Sequence, residues 1–250
     1  MVRAKKRFGQ HFLIDKSYIS KIVEAMPAAK YRLVEIGSGL GDLTEEILTK
    51  RDLIAIEVDR DLIASLEARF VGEIASKRLK LICADALLLW QEGGLSEVAY
   101  DLVGNLPYYI ATEIILRALA DPHCKSLTVM TQVEVARKWT AEKGSALSLL
   151  ARSVGEAQFC FEVPPEAFEP KPKVFSAVLR IVKSAECFDL EFSRFLRGAF
   201  AQPRKTLLGN LRRRYEKTAI EDAFRHCQIA PAARAHELTL EQFMRLKNML

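Results

Sequence analysis

The sequence has little to offer a disulfide framework, a membrane span or a metal centre. Its five cysteines, Cys83, Cys124, Cys160, Cys187 and Cys227, are odd in number and widely spaced, and no C-x-x-C pair occurs. That pattern argues against zinc ligation and against a set of disulfides, so no metal is expected. Cys83 and Cys160 fall inside apolar, strand-like runs and are expected to be buried small hydrophobes. No apolar stretch approaches the roughly 18 residues that a membrane helix needs. Residues 1–7 are basic, but no apolar h-region or small-residue cleavage site follows them, and a cytoplasmic protein is expected. Repeats and low-complexity tracts are also missing. What remains is a chain of 250 residues, half of them hydrophobic. That suffices for one large domain, or a large one plus a small one.

The net charge of +5 is unevenly spread. Residues 1–16 carry five Lys/Arg against one acid, and residues 180–250 carry 14 against eight, which leaves the stretch between them net acidic. Two basic ends around an acidic middle suit a polyanion held from both sides. Solvated termini can have the same composition.

Strand-like and helix-like runs alternate. Strands are expected over Tyr31–Ile36, Leu53–Glu57, Leu79–Cys83, Tyr100–Val103, Ser126–Thr131, Gln158–Val163 and Val174–Val182. Helical spacing covers Leu40–Thr49, Asp61–Phe70, Ile110–Leu119, Val133–Thr140 and Ala146–Val154. This alternation predicts an α/β fold: a doubly wound, mostly parallel, seven-stranded sheet covered on both faces, its last two strands an antiparallel addition at one edge. Beyond Lys183-Ser184-Ala185 no strand pattern remains. Phe188–Phe200, Pro203–Tyr215, Ala219–His226 and Leu240–Leu250 are helical in period, with Pro203 in a first turn. Thr239 and Gln242 form an expected capping box. Two domains are expected, 1–184 and an all-α unit over 185–250.

Glu35-Ile36-Gly37-Ser38-Gly39-Leu40-Gly41 lies at a strand-to-helix junction, where glycines allow tight turning and close approach of backbone to ligand. The pattern is not the G-x-G-x-x-G of dinucleotide folds. Glu57 ends the second strand, where its carboxylate could accept both hydroxyls of a ribose. Asp85 follows the third strand, placed to receive an adenine amino group. S-adenosylmethionine, which has no phosphate and carries a sulfonium, suits this acid-rich surround better than a pyrophosphate. Solvent-facing acids around a plain β-α turn are the bland alternative.

After the fourth strand comes Asn105-Leu106-Pro107-Tyr108. The Asn105 amide oxygen and a backbone oxygen at Leu106 or Pro107 could both accept from an exocyclic NH₂, turning the nitrogen lone pair toward a methyl donor. Tyr108 could stack on the base. Orientation and electrostatics would carry the chemistry, with no strong general base. An Asn-Leu-Pro turn with Tyr108 in the core would read the same way.

These stretches, together with Lys6–Leu13, Ile56–Asp61, Val163–Val174, Ser176–Val178, Phe200–Leu207 and Glu237–Phe243, resemble the ribosomal-RNA adenine dimethyltransferases of the KsgA type, in order and over nearly the whole chain. The resemblance implies a Rossmann-like methyltransferase that uses S-adenosylmethionine. Its target would be N6 of two adjacent adenines near the 3′ end of small-subunit rRNA, each dimethylated within an immature ribosomal subunit. It implies cofactor contacts at Gln10, His11, Leu13, Glu35, Gly37, Gly39, Glu57, Val58, Asp85, Ala86 and Asn105. The target base would lie against Asn105, Leu106, Pro107 and Tyr108, with Phe168 as the second face of an aromatic sandwich. RNA contacts are expected from Lys5, Lys6, Arg7, Arg204, Lys205, Arg212 and Arg213, with positions 205, 212 and 213 on one helix face. A monomer is expected. Ser38 stands where proline is frequent in such enzymes, Pro203 where a basic residue is common, and Gly144–Ser148 departs from the usual form. The rivals are a large-subunit rRNA adenine methyltransferase that confers antibiotic resistance, a DNA adenine methyltransferase, and a ribosome-assembly or transcription factor with vestigial catalysis.

Overall fold

The computed structural model describes Lys5 and residues 8–28, 30–142, 144–184 and 188–250. A two-residue strand β1 (Phe12–Leu13) and helix α1 (Lys16–Ala25) lead into the alternation. There follow β2 (Arg32–Ile36), α2 (Asp42–Leu48), β3 (Leu53–Glu57), α3 (Arg60–Arg69), α4 (Val71–Ala75), β4 (Leu79–Cys83) and α5 (Ala86–Glu92). Next come β5 (Tyr100–Asn105), α6 (Ala111–Ala120), β6 (Cys124–Gln132), α7 (Val133–Thr140) and α8 (Ala146–Val154). Strands β7 (Gly155–Val163), β8 (Phe168–Glu169) and β9 (Ser176–Lys183) complete the sheets. The chain then continues as α9 (Leu190–Ala199), α10 (Leu207–Leu211), α11 (Lys217–His226) and α12 (Leu240–Met249).

The main sheet has seven strands in the order β4-β3-β2-β5-β6-β9-β7. β2 to β6 run parallel, and β9 pairs antiparallel with both β6 and β7. The strand order reverses between β2 and β5, which opens a crevice outside their carboxyl ends. Side chains alternate between the faces as the two-residue period demands. Val34, Ile36, Ile54, Ile56 and Leu102 pack under α5, α6 and α7. Leu33, Leu53, Ala55 and Val103 pack under α1, α2 and α3. Burying one such Leu, Ile or Val contributes roughly 1.5–3 kcal/mol, so both faces favour this register.

A third core gathers Phe192, Phe195, Leu207, Phe224 and Phe243 from the C-terminal helices, with Leu149 and Leu150 of α8. Thr239 caps α12 in a capping box with Gln242. Pro203 does not open a helix: it sits in a turn, and α10 starts only at Leu207, capped by Thr206. A threonine hydroxyl that can accept the N3 amide fixes the start better than a proline does. Cys83 is exposed and Cys160 half-buried, contrary to expectation, because β4 and β7 are the two edges of the sheet.

Candidate cofactor and methyl-acceptor site

The crevice is walled by four segments that leave the carboxyl ends of β2, β3, β4 and β5, and roofed by the N-terminal arm. Every expected cofactor contact lines it: Gln10, His11 and Leu13 from the arm, Glu35, Gly37 and Gly39 from the glycine turn, Glu57 and Val58 from β3, Asp85 and Ala86 from β4–α5, and Asn105 from β5. Gly37, Gly39 and Gly41 all have positive φ, at 77°, 57° and 91°, a conformation that costs other residues strain.

Glu57 is buried. Its Oε1 accepts Val58 N–H and Asp59 N–H at 2.9 Å, and its Oε2 accepts Gly39 N–H at 3.0 Å. These bonds fix the carboxylate at the strand end with lone pairs left over. Asp85 caps α5 through Leu87 N–H at 2.8 Å, which uses one carboxylate oxygen, and the residue lines the crevice. Glu35 is 1 % exposed and accepts Thr44 Oγ1 at 2.5 Å. Burial pushes its carboxyl up to about 7, against the hydrogen bond from Thr44. Burial also pushes Glu57 up. The lining holds four acids, Glu35, Asp42, Glu57 and Asp85, and no Lys or Arg among the described residues. Two carboxyls raised by burial, in a cleft whose described lining holds no Lys or Arg, fit a cationic, phosphate-free ligand.

Asn105 Nδ2 donates to the His11 carbonyl at 2.9 Å. A carbonyl can only accept, so this bond assigns the amide and leaves Oδ1 as the free acceptor. Leu106 is 1 % exposed in the core, and its N–H donates to Met130 O at 3.0 Å. Pro107 O already accepts Ile110 N–H at 3.1 Å. The tetrapeptide is therefore held at both ends by backbone, as a rigid step beside the cofactor walls. Tyr108 and Ser176 hydroxyls are 2.6 Å apart, and burial raises the phenol, which keeps it neutral.

Phe168 is not where the sandwich requires it. It is 1 % exposed and packs with Leu13, Val163 and Val178. β8 pairs antiparallel with β1, Leu13 opposite Phe168, and the alternation of that ladder sends Phe168 into the core. The ring that faces Tyr108 is His11, with centroids 5.6 Å apart and planes 20° apart. His11 Nδ1 lies 2.7 Å from Pro170 O, so this nitrogen carries the proton.

Lys5 is not free for RNA. Its Nζ pairs with Asp59 at 2.5 Å and Asp61 at 2.6 Å, and its N–H donates to Gln10 Oε1 at 2.7 Å. Gln10 in turn reaches Asp59 at 3.1 Å. Lys6 and Arg7 lie outside the described residues. Arg204, Lys205, Arg212 and Arg213 are exposed, but Lys205 precedes α10 and Arg212 caps it, so no single helix face carries them. Thr44, Asp59, Ser176 and Pro170 are site supports that the sequence does not announce. Only Asp59, in an Asp-x-Asp spacing that reads as a helix cap, leaves a signal.

The sequence model of ribosomal RNA adenine dimethylase matches residues 1–250. The chain belongs to the ribosomal RNA adenine dimethylase family. It is 48 % identical over 247 residues to the ribosomal RNA small subunit methyltransferase A of Sulfurimonas denitrificans, covering 97 % of this chain and 92 % of that protein. The protein of the same name from Campylobacter curvus is 44 % identical over 261 residues, covering 98 % and 92 %. Among solved structures, the 23S rRNA methyltransferase ErmE superposes with a TM-score of 0.75 at 27 % identity, over 96 % of this chain and 99 % of that one. A dimethyladenosine transferase from Plasmodium falciparum gives 0.80 at 22 % identity, over 94 % and 96 %, and shares the fold. The expected α/β sheet with C-terminal helices is thus the fold of this family, and its members are S-adenosylmethionine-dependent methyltransferases.

Proposed function

We propose that this enzyme dimethylates N6 of two adjacent adenines near the 3′ end of small-subunit rRNA, acting as a cytoplasmic monomer on an immature ribosomal subunit. The observation that carries the chemistry is the assigned Asn105 amide. With Nδ2 committed to His11 O, Oδ1 and the Leu106 carbonyl can accept the two hydrogens of an adenine amino group. That pulls the nitrogen out of conjugation with its ring and aims the lone pair across the crevice. S-adenosylmethionine supplies an electrophilic methyl on a sulfonium. Glu57 holds its ribose hydroxyls, Asp85 its adenine, and the Gly37–Gly41 turn the methionine end. Tyr108 stacks on the target base. No residue needs to act as a strong base, because placement and electrostatics do the work.

The helical unit after residue 184 is the proposed RNA-facing domain, with Arg204, Lys205, Arg212 and Arg213 on its surface. Homology to small-subunit enzymes favours the small-subunit target over the large-subunit one. Tritiated-methyl transfer to immature small subunits and to naked rRNAs, followed by digestion to nucleosides, tests the reading. Dimethyladenosine from small-subunit particles alone is expected, and label in large-subunit rRNA alone would overturn it. Asn105→Ala should cut turnover by about 10²-fold or more with little change in cofactor affinity; full activity would remove Asn105 from its role.

A further inference from the structure

A second cavity lies at the other end of the sheet, at the amino ends of β2, β3 and β4. It measures about 830 Å³. Six cations line it: Lys30 and Arg32 at the start of β2, Arg51 before β3, and Lys77, Arg78 and Lys80 at the start of β4. Only Asp52 and Glu67 oppose them in the lining. A parallel sheet brings these cations together because three successive strands begin there.

The catalytic reading uses none of this. Part of the charge has a structural use. Arg51 pairs with Asp101 at 3.2 Å and donates to the Tyr31 carbonyl. Arg78 donates to the Leu48 carbonyl at the end of α2 and pairs with Asp52 at 3.3 Å. Lys30 lies over the Tyr31 ring at 5.3 Å. The remainder is unspent. Arg32, Lys77 and Lys80 are exposed, and their side chains have no ion-pair or hydrogen-bond partner among the described residues. In addition, the Arg51 side chain is only 10 % exposed, and its Nη1 is buried without a partner. Arg51 lines the cavity, and an anion held there would offset the charge of a guanidinium that keeps one buried nitrogen unpaired.

We propose that this groove binds RNA phosphates, forming a contact face separate from the methylation crevice. Neighbouring strands lie about 4.8 Å apart, so the cations of β2 to β4 are spread over roughly 10 Å, wider than a single phosphate. Their distribution along an open groove suits a run of backbone phosphates. Such contacts position a substrate without reading its sequence. A particle-sized substrate can reach both ends of the sheet, whereas a short hairpin seated in the crevice cannot. The inference rests on the proposed RNA substrate.

The test is the triple variant Arg32→Gln, Lys77→Gln, Lys80→Gln, which changes only exposed, unpaired residues. Its affinity for immature small subunits is measured from 50 to 300 mM potassium chloride beside the wild type, with a thermal melt and the cofactor affinity as controls for folding. The variant should bind on the order of tenfold or more weakly, with a salt slope shallower by roughly 2 to 3, about 0.9 per lost phosphate contact. Methyl transfer to a short hairpin that carries the target adenines should be unchanged. If the wild type binds and the variant matches it in affinity and slope, this inference fails while the substrate reading stands. A wild type that binds no small-subunit RNA would sink the substrate reading itself. Inorganic pyrophosphate that saturates the wild type but not the variant, with equal RNA slopes for both, would assign the groove to a free phosphate ligand and overturn the RNA source.

Discussion

Glu35 makes folding stability depend on pH in a window where few other groups act. The carboxyl is 1 % exposed, and burial raises it from 4.5 in an ordinary setting to about 7. A raised folded value means that the native state holds this proton more tightly than the unfolded chain does. The associated stability is therefore fully present below pH 4.5 and is lost as pH rises through 7. The whole shift of about 2.5 pH units is worth roughly 3.4 kcal/mol at 1.36 kcal/mol per unit, and about 1.8 of those units, roughly 2.5 kcal/mol, are lost between pH 5 and pH 8. Glu57 is raised as well and adds to the trend. Asp15, Asp59 and Asp189 are lowered, and their gain is complete above the ordinary carboxylate range. Glu35→Gln keeps an oxygen to accept from Thr44 but cannot ionise. Urea melts of both proteins at pH 5, 6, 7 and 8 isolate the effect, because the other groups cancel in the difference. The stability gap should move in favour of the variant by roughly 2.5 kcal/mol across the window, or roughly 5–10 °C in midpoint. Parallel curves would show that Glu35 titrates normally and that the crevice does not desolvate it.

Four further substitutions have outcomes set by the geometry. A Cβ at Gly104 would lie 2.5 Å from Ile36 O on the neighbouring strand, so Gly104→Ala should cost about 1–3 kcal/mol and also lower turnover, since Asn105 is the next residue; an unshifted melt would contradict the close approach. Lys5→Met should weaken cofactor binding about twofold to fivefold, the weight of a part-exposed charge pair, by loosening the arm over Glu57 and Val58. Calorimetry with equal affinities would show that the arm holds without it. His11→Ala should raise KM for RNA more than it lowers kcat, because it removes a ring but keeps the carbonyl that orients Asn105. Phe168→Ala should instead act through stability, by about 3–5 kcal/mol. The reverse pattern would put Phe168, and not His11, against the base.

Much of the crevice was legible because its parts are local. A glycine turn between an apolar strand and a helix, and an acid at the end of each of the next two strands, are set by neighbours in sequence. The parallel alternation then had to bring them to one edge. What escaped depends on pairing between distant segments. β1 and β8 are two residues each, too short for a period to show, yet their ladder decides that Phe168 points inward. α1 and α5 follow Asp15 and Asp85 as caps, a signal outweighed by the apolar runs beside them. Lys5 looked like part of a basic arm because charge counting does not reveal that Asp59 and Asp61, more than 50 residues away, will face it.

The same ladder explains how the two sides of the crevice, at Glu57 and at Asn105, are joined. β1 fastens the arm at Phe12 and Leu13 to Glu169 and Phe168, and Lys5 fastens its other end to Asp59 and Asp61. His11 lies between the two anchors and makes three directed contacts. Its carbonyl takes the Asn105 amide, its ring faces Tyr108, and its Nδ1 donates to the Pro170 carbonyl. Gln10, next to it, reaches Asp59, whose N–H also binds Glu57. His11, which holds the Asn105 amide, is thus covalently adjacent to Gln10, which is tied through Asp59 to the Glu57 carboxylate. A displacement of the arm would shift the Gln10–Asp59 tie and the His11 carbonyl together, so the arm couples the Glu57 side of the crevice to the orientation of the Asn105 amide.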